Sequence, residues 1–295
     1  MREHTVEAGD VRLCVREHGS TGADNVVLVH GYPDTQAMWD PVVARLSDGA
    51  GLHVVTYDVR GAGASTPPAT LNGYRIAHLV DDLVAVIDVT CPGEPVHLVG
   101  HDWGSVQLWD AVTAEDSDPR LRGRIASFTS ISGPCLDHVA AFSRAARSRH
   151  QWRRLLAQAR RSWYVYAFLV PWLPEQVWRH ASGAISRRID AGQGLRGRSH
   201  WAPTLARDGA NGVNLYRANL RSGARRRGTG RTDVPVLTIV PRRDAFLTPA
   251  LYDDLDSFVS HSRRVEVEGA HWIAVTDPDQ VADLVTEHVR AYGRA

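Results

Sequence analysis

The sequence predicts an α/β fold, a mostly parallel sheet covered by helices and interrupted by a helical insertion. Three observations predict it. Apolar runs of strand length alternate with segments of helical period along most of the chain. That rhythm stops between Gly133 and about Arg231, a stretch rich in Arg, Trp and Ala that reads as helix without a clear strand. Finally, residues with catalytic chemistry fall just beyond the C-terminal ends of candidate strands, where open α/β sheets place their sites.

The candidate strands are VRLCVREH (11–18), NVVLVH (25–30), LHVVTYD (52–58), PVHLVGH (95–101), IASFTSIS (125–132), VPVLTIV (234–240) and RRVEVEG (263–269). Helices are predicted at about 36–47, 75–89, 104–115, 249–259 and 278–292. The last has the clearest signals: Asp277 can cap it, Pro278 suits its first turn, and Val281, Leu284, Val285 and Val289 recur on one face. A chain of 295 residues can bury a full core as one large domain carrying an insertion. The expected division is a core at 1–132 and 232–295 and a helical cap at 133–231. No internal repeat or long low-complexity tract interrupts it.

Hydrophobic residues at 43% and charged residues at 23% describe an ordinary globular protein. The net charge of +1 provides no strong overall field toward nucleic acid or an anionic membrane. All 34 basic residues are arginines, which excludes Schiff-base and P-loop lysine mechanisms. Cys14, Cys91 and Cys135 are odd in number and far apart, a pattern that favours a reducing compartment. The first residues lack an apolar signal core, and the longest apolar stretch, WYVYAFLVPWL (163–173), is too short to span a bilayer. The expectation is a cytoplasmic protein with no membrane span. Two arginine clusters, RRLLAQARR (153–161) and GARRRGTGR (223–231), fit either an anionic-ligand patch or a solvated helix face and a basic loop, the commoner case.

The hexapeptide GHDWGS (100–105) has the small-x-nucleophile-x-small spacing of a nucleophile elbow, with Asp102 where serine is usual. Alone, Asp102 could simply cap the following helix. Partners in the right order weaken that reading. Asp244 follows the strand at 234–240, and His271 follows the strand at 263–269. Nucleophile, acid, then histidine is the chain order of the triad built on this elbow. Asp137 is a spare acid. His30, His101, Asp34, Asp58 and Arg60 read as loop-bracing residues, with Asp34 capping the helix that follows it.

The segments HGYPD (30–34), YDVRGAGAS (57–65), GHDWGS, PRRDAFLTP (241–249) and GAHWIAVTDP (269–278) resemble those of α/β-hydrolase-fold enzymes, nearest to the epoxide hydrolases. The resemblance covers nearly the whole chain. GHDWG is its specific part, because it narrows the superfamily to members with an aspartate nucleophile. It implies a mostly parallel eight-stranded sheet flanked by helices, with an inserted helical cap. It also implies oxyanion-hole amides from Tyr32 and Trp103, and no cofactor or metal.

Aspartate suits a saturated electrophile. An epoxide or alkyl halide has no carbonyl, so a carboxylate displaces the leaving group and forms an alkyl ester on the protein. Water activated by His271 then attacks the Asp102 carboxyl carbon, with Asp244 orienting the base. Opening an epoxide also produces an alkoxide that an O–H donor can protonate. In the resembled family two cap tyrosines do this, here Tyr164, seven residues before Pro171, and Tyr216 in VNLYRANL (213–220). Tyr166 is an alternative for the first. Trp163, Tyr166 and Phe168 are expected to line the substrate site, and Phe168, Leu169 and Trp172 to pack in the cap. The implied partners are a small hydrophobic epoxide and water, with no nucleic acid and with room for a homodimer. A haloalkane dehalogenase, a biosynthetic tailoring hydrolase and a non-catalytic ligand binder are the alternatives.

Overall fold

The computed structural model describes residues 1–144, 147–198, 200–220 and 230–293. Eight strands form one sheet: β1 (Arg2–Ala8), β2 (Val11–His18), β3 (Asn25–Val29), β4 (His53–Tyr57), β5 (Val96–His101), β6 (Ile125–Ile131), β7 (Val236–Pro241) and β8 (Ser262–Val267). Their order is β1-β2-β4-β3-β5-β6-β7-β8. β2 runs antiparallel to both neighbours, and every other pairing is parallel.

Covering helices explain the unbroken apolar strands. β3 is buried along its whole length, with Val27 and Val29 in one core cluster and Val26 and Leu28 in the other. The first cluster packs against α2 (Ile76–Thr90) and α3 (Trp103–Thr113), and the second against α1 (Asp40–Ala44), α9 (Ile273–Thr276) and α10 (Pro278–Tyr292). The Asp277 side chain accepts from the Gln280 N–H at 3.2 Å and caps α10 as expected.

Two local expectations are corrected. β1 was not expected, because REHTVEA buries only Val6 and Ala8 and gains its order by pairing with β2. The helix expected at 249–259 is two short 3-10 turns, Pro249–Tyr252 and Leu255–Ser257.

Between β6 and β7 the described residues are helix and loop without a strand: α4 (Leu136–Arg144), α5 (Arg149–Arg161), α6 (Trp163–Phe168), α7 (Leu173–Gln193) and α8 (Leu205–Leu220). α8 carries Ala210, Val213, Leu215 and Tyr216 into the first core cluster. The basic cluster at 223–231 lies outside the described residues except for Gly230 and Arg231.

Candidate active site

The turn after β5 is built so that one side chain must stand clear of the sheet. Asp102 has φ 49 and ψ −121, a conformation that side-chain-bearing residues rarely adopt. The close approach needs glycine on both sides. A Cβ on Gly100 would lie 2.5 Å from the Ser105 Cα, and one on Gly104 would lie 2.1 Å from the Val29 carbonyl oxygen. Asp102 stands at the N-cap position of α3, yet its side chain makes no capping hydrogen bond there. Its Oδ2 instead accepts from the Tyr32 backbone N–H at 2.9 Å.

His271 and Asp244 converge on this turn. His271 Nδ1 lies 2.9 Å from Asp244 Oδ2, and Nε2 lies 3.8 Å from Asp102 Oδ1. Asp244 is locked from behind, its Oδ1 accepting from the Phe246 and Leu247 N–H groups at 2.7 and 3.1 Å. Burial alone would raise the Asp244 carboxyl, but the His271 charge and hydrogen bond and these two amides hold it below the usual range. Burial disfavours the His271 imidazolium, but Asp244 and then Asp102 outweigh that penalty and raise it. Burial raises Asp102, opposed by the His271 charge and the Tyr32 and Trp103 amides.

These groups open into a cavity of about 430 Å³ that Tyr164, Tyr216, Phe168, Trp178 and Phe246 also line. The Tyr164 and Tyr216 rings meet edge to face with centroids 6.0 Å apart. Burial raises both phenols, and the Asp102 charge pushes each the same way. The Trp103 ring packs edge to face on Tyr216 with centroids 4.9 Å apart. A larger groove of about 930 Å³ runs past Arg16, Asp58 and Trp201 but contains none of the triad.

The fold is shared with known proteins. A crystal structure of a Bacillus megaterium epoxide hydrolase with an inhibitor superimposes with a TM-score of 0.77 at 20% identity, covering 97% of this chain and 100% of that one. Residues 24–164 match the family described as alpha/beta hydrolase fold. The chain has the α/β-hydrolase fold. It is 37% identical over 285 residues to a Mycobacterium tuberculosis protein named "Probable oxidoreductase EphD", covering 93% of this chain but 47% of that protein. The chain thus spans about half the length of that curated relative. It is also 38% identical over 135 residues to "Epoxide hydrolase A" of Mycobacterium tuberculosis, covering 45% of this chain and 39% of that one.

In this fold the expected site residues are not all gathered. Asp102, His271, Tyr32, Tyr164, Tyr216, Phe168 and Trp163 line the cavity, with Asp244 behind His271. Tyr166 does not. On α6, Tyr164 and Phe168 are four residues apart and share the inward face, so Tyr166 between them points away and is 68% exposed. Trp172 is likewise exposed rather than packed. Asp34 caps no helix: its carboxylate bridges His200 and the Trp272 indole, each at 2.8 Å. Arg60 braces α2 through Asp82 rather than pairing with Asp58, whose oxygens accept from the Gln36 and Ala64 amides.

Two contributors escaped the sequence. Gln193, at the end of α7, accepts from the His271 N–H at 3.1 Å. Trp178 packs edge to face on the Tyr32 ring, whose hydroxyl donates to the Gly209 carbonyl oxygen at 2.9 Å. His101 braces a loop as expected: pushed down to about 4 by burial, it stays neutral with Nε2 2.9 Å from the His271 carbonyl oxygen. Gln193 and Trp178 lie in the helical insertion without a motif around them, so only the fold could find them.

Proposed function

We propose that this chain opens an epoxide to a vicinal diol through a covalent ester on Asp102, with residues 133–231 acting as the cap that supplies the acids. The observation that carries this reading is the pair of buried phenols, Tyr164 and Tyr216, lining the cavity with an aspartate in the nucleophile position. The Asp102 carboxylate attacks one epoxide carbon and the C–O bond breaks. The electron pair stays on the departing oxygen, which takes a proton from a tyrosine.

Electrostatics support the timing of that transfer. The Asp102 charge is one of the causes that hold the tyrosine protons in place. Esterification removes it as the alkoxide forms, so both phenols become better acids when a proton is needed. The same loss makes His271 a readier base, since the Asp102 charge also favours its imidazolium. His271 then takes a proton from water attacking the Asp102 carboxyl carbon. The Tyr32 and Trp103 amides hold the oxyanion. On collapse the His271 proton goes to the leaving diol oxygen, and the proton of the new carboxyl returns to the tyrosinate.

The dehalogenase alternative needs N–H donors free to hold a halide. Trp103 and Trp178 pack edge to face on Tyr216 and Tyr32, with ring centroids 4.9 and 5.8 Å apart. Trp172 lies outside the cavity and Trp163 lines it, so Trp163 and Trp178 are the indoles a halide would have to use. Incubation with matched panels of epoxides and haloalkanes, assayed for diol and for free halide, tests the choice. Diol from epoxides is expected; halide release without diol refutes it.

A further inference from the structure

Residues 133–231 carry nineteen arginines and four acidic residues, while the rest of the chain carries fifteen arginines and twenty-nine acidic residues. The near-zero net charge therefore conceals a strongly basic insertion on an acidic core, which corrects the expectation drawn from the total. Not one acidic residue lies between Asp137 and Glu175, and Glu175 is paired with Arg217.

The same segment turns apolar side chains outward. Trp152 and Leu156 stand one turn apart on α5, Trp163 and Tyr166 on α6, and Leu173 and Val177 on α7. All six are exposed, as are Val170 and Trp172 between α6 and α7; Trp152, Trp163, Tyr166 and Trp172 each leave more than half of their surface uncovered. Exposed arginines flank them, among them Arg149, Arg153, Arg160, Arg187 and Arg188. An isolated exposed tryptophan needs no explanation, but a run of them over three consecutive helices does.

We propose that the α5–α7 face docks on the surface of an anionic lipid bilayer. Arginine heads would meet lipid phosphates, tryptophan and tyrosine rings would rest at headgroup level, and Leu156, Leu173 and Val177 would enter the acyl boundary. The other occupants fit less well. A nucleic acid gains from arginine and from aromatic stacking but nothing from the aliphatic stripe. A symmetric dimer through this face would set arginines against arginines. Among the described residues no helix is long and apolar enough to cross a membrane, and the contact argued here lies on the bilayer. Arg160 and Trp163 also line the cavity, so its mouth would open toward the lipid. The docking holds whatever reaction the cavity performs.

Co-sedimentation with vesicles of phosphatidylcholine alone, or mixed equally with phosphatidylglycerol, tests this. Binding is expected to the anionic vesicles only, to weaken as salt rises, and to shift tryptophan emission to the blue. Arg153→Glu with Arg187→Glu, and separately Trp152→Ser with Trp172→Ser, should each lower the partition by roughly tenfold or more while circular dichroism stays unchanged. No binding to anionic vesicles at ~0.1 M salt, or binding that both double variants retain, overturns the proposal. So does a duplex DNA that binds while vesicles do not, or a solution oligomer in which hydrogen exchange shows α5–α7 covered.

Discussion

The sheet core and the insertion at 133–231 treat the same residue types in opposite ways. In the core, valine and leucine are buried on both faces of β3, and surface arginines are matched by acids, as in Arg45–Asp279, Arg120–Asp118, Arg124–Asp88 and Arg263–Glu287. Exposed pairs of that kind stabilise weakly but neutralise the surface. In the insertion, large apolar side chains stand in solvent and arginines outnumber the segment's own acids, with Arg154 pairing to Asp253 of the core. The core holds Asp102 and His271, the nucleophile and base of the proposed reaction. The insertion is built toward whatever approaches it: two of its tyrosines face inward to the cavity, and its tryptophans and arginines face outward.

The comparison assigns the covalent chemistry to the core, and the largest expected effect tests that. Asp102→Asn should lower turnover by roughly 10⁴-fold or more, because the bond-forming group is lost. His271→Gln should leave ester formation intact and block its hydrolysis, so intact-protein mass spectrometry should find the chain heavier by one substrate. A variant that turns over normally, or never gains mass, would move the chemistry away from the core.

The acids are assigned to the insertion. Tyr164→Phe and Tyr216→Phe should each slow alkylation, and the double variant should lose roughly 10²–10⁴-fold in single-turnover ester formation. Tyr166→Phe is the internal control and should match the wild type, since that side chain is exposed. Equal losses at Tyr164 and Tyr166 would break the assignment of faces on α6.

A smaller effect should appear where the two regions meet. Gln193→Ala leaves the buried His271 N–H without its acceptor and is expected to cost about 1–3 kcal/mol in stability or base positioning. A positioning role predicts that ester hydrolysis slows more than ester formation; equal slowing of both would make Gln193 a purely structural contact.

The pH dependence should differ between the half-reactions. His271 is raised in the free enzyme by Asp244 and Asp102, and it must be neutral to accept a proton, so hydrolysis is lost as pH falls through its folded value. Esterification of Asp102 removes one raising charge. The acid limb for ester hydrolysis in single turnovers of the wild type should therefore lie at lower pH than the limb measured for His271 in the free enzyme by NMR. The reverse order would contradict the charge argument.

Much of this was legible in the chain itself. Strand-length runs such as NVVLVH are apolar throughout because parallel strands are buried on both faces, and Gly100 and Gly104 bracket Asp102 because no other residue fits the turn. Asp102, Asp244 and His271 were readable because each follows a recognisable strand, and local chemistry marks each strand end. β1 was not readable, since its polar strand depends on a partner rather than on its own apolar content. Nor was the choice between Tyr164 and Tyr166, because it depends on how α6 is rotated against the cavity. Gln193, Trp178 and the Asp34–His200 contact join residues far apart in sequence, and their partners are set by where the helices of 133–231 come to rest on the sheet. Periodicity and turn chemistry act over a few residues and so can be read along a chain. Which side of an amphipathic helix meets the cavity, and which meets solvent, is decided only when distant surfaces pack together.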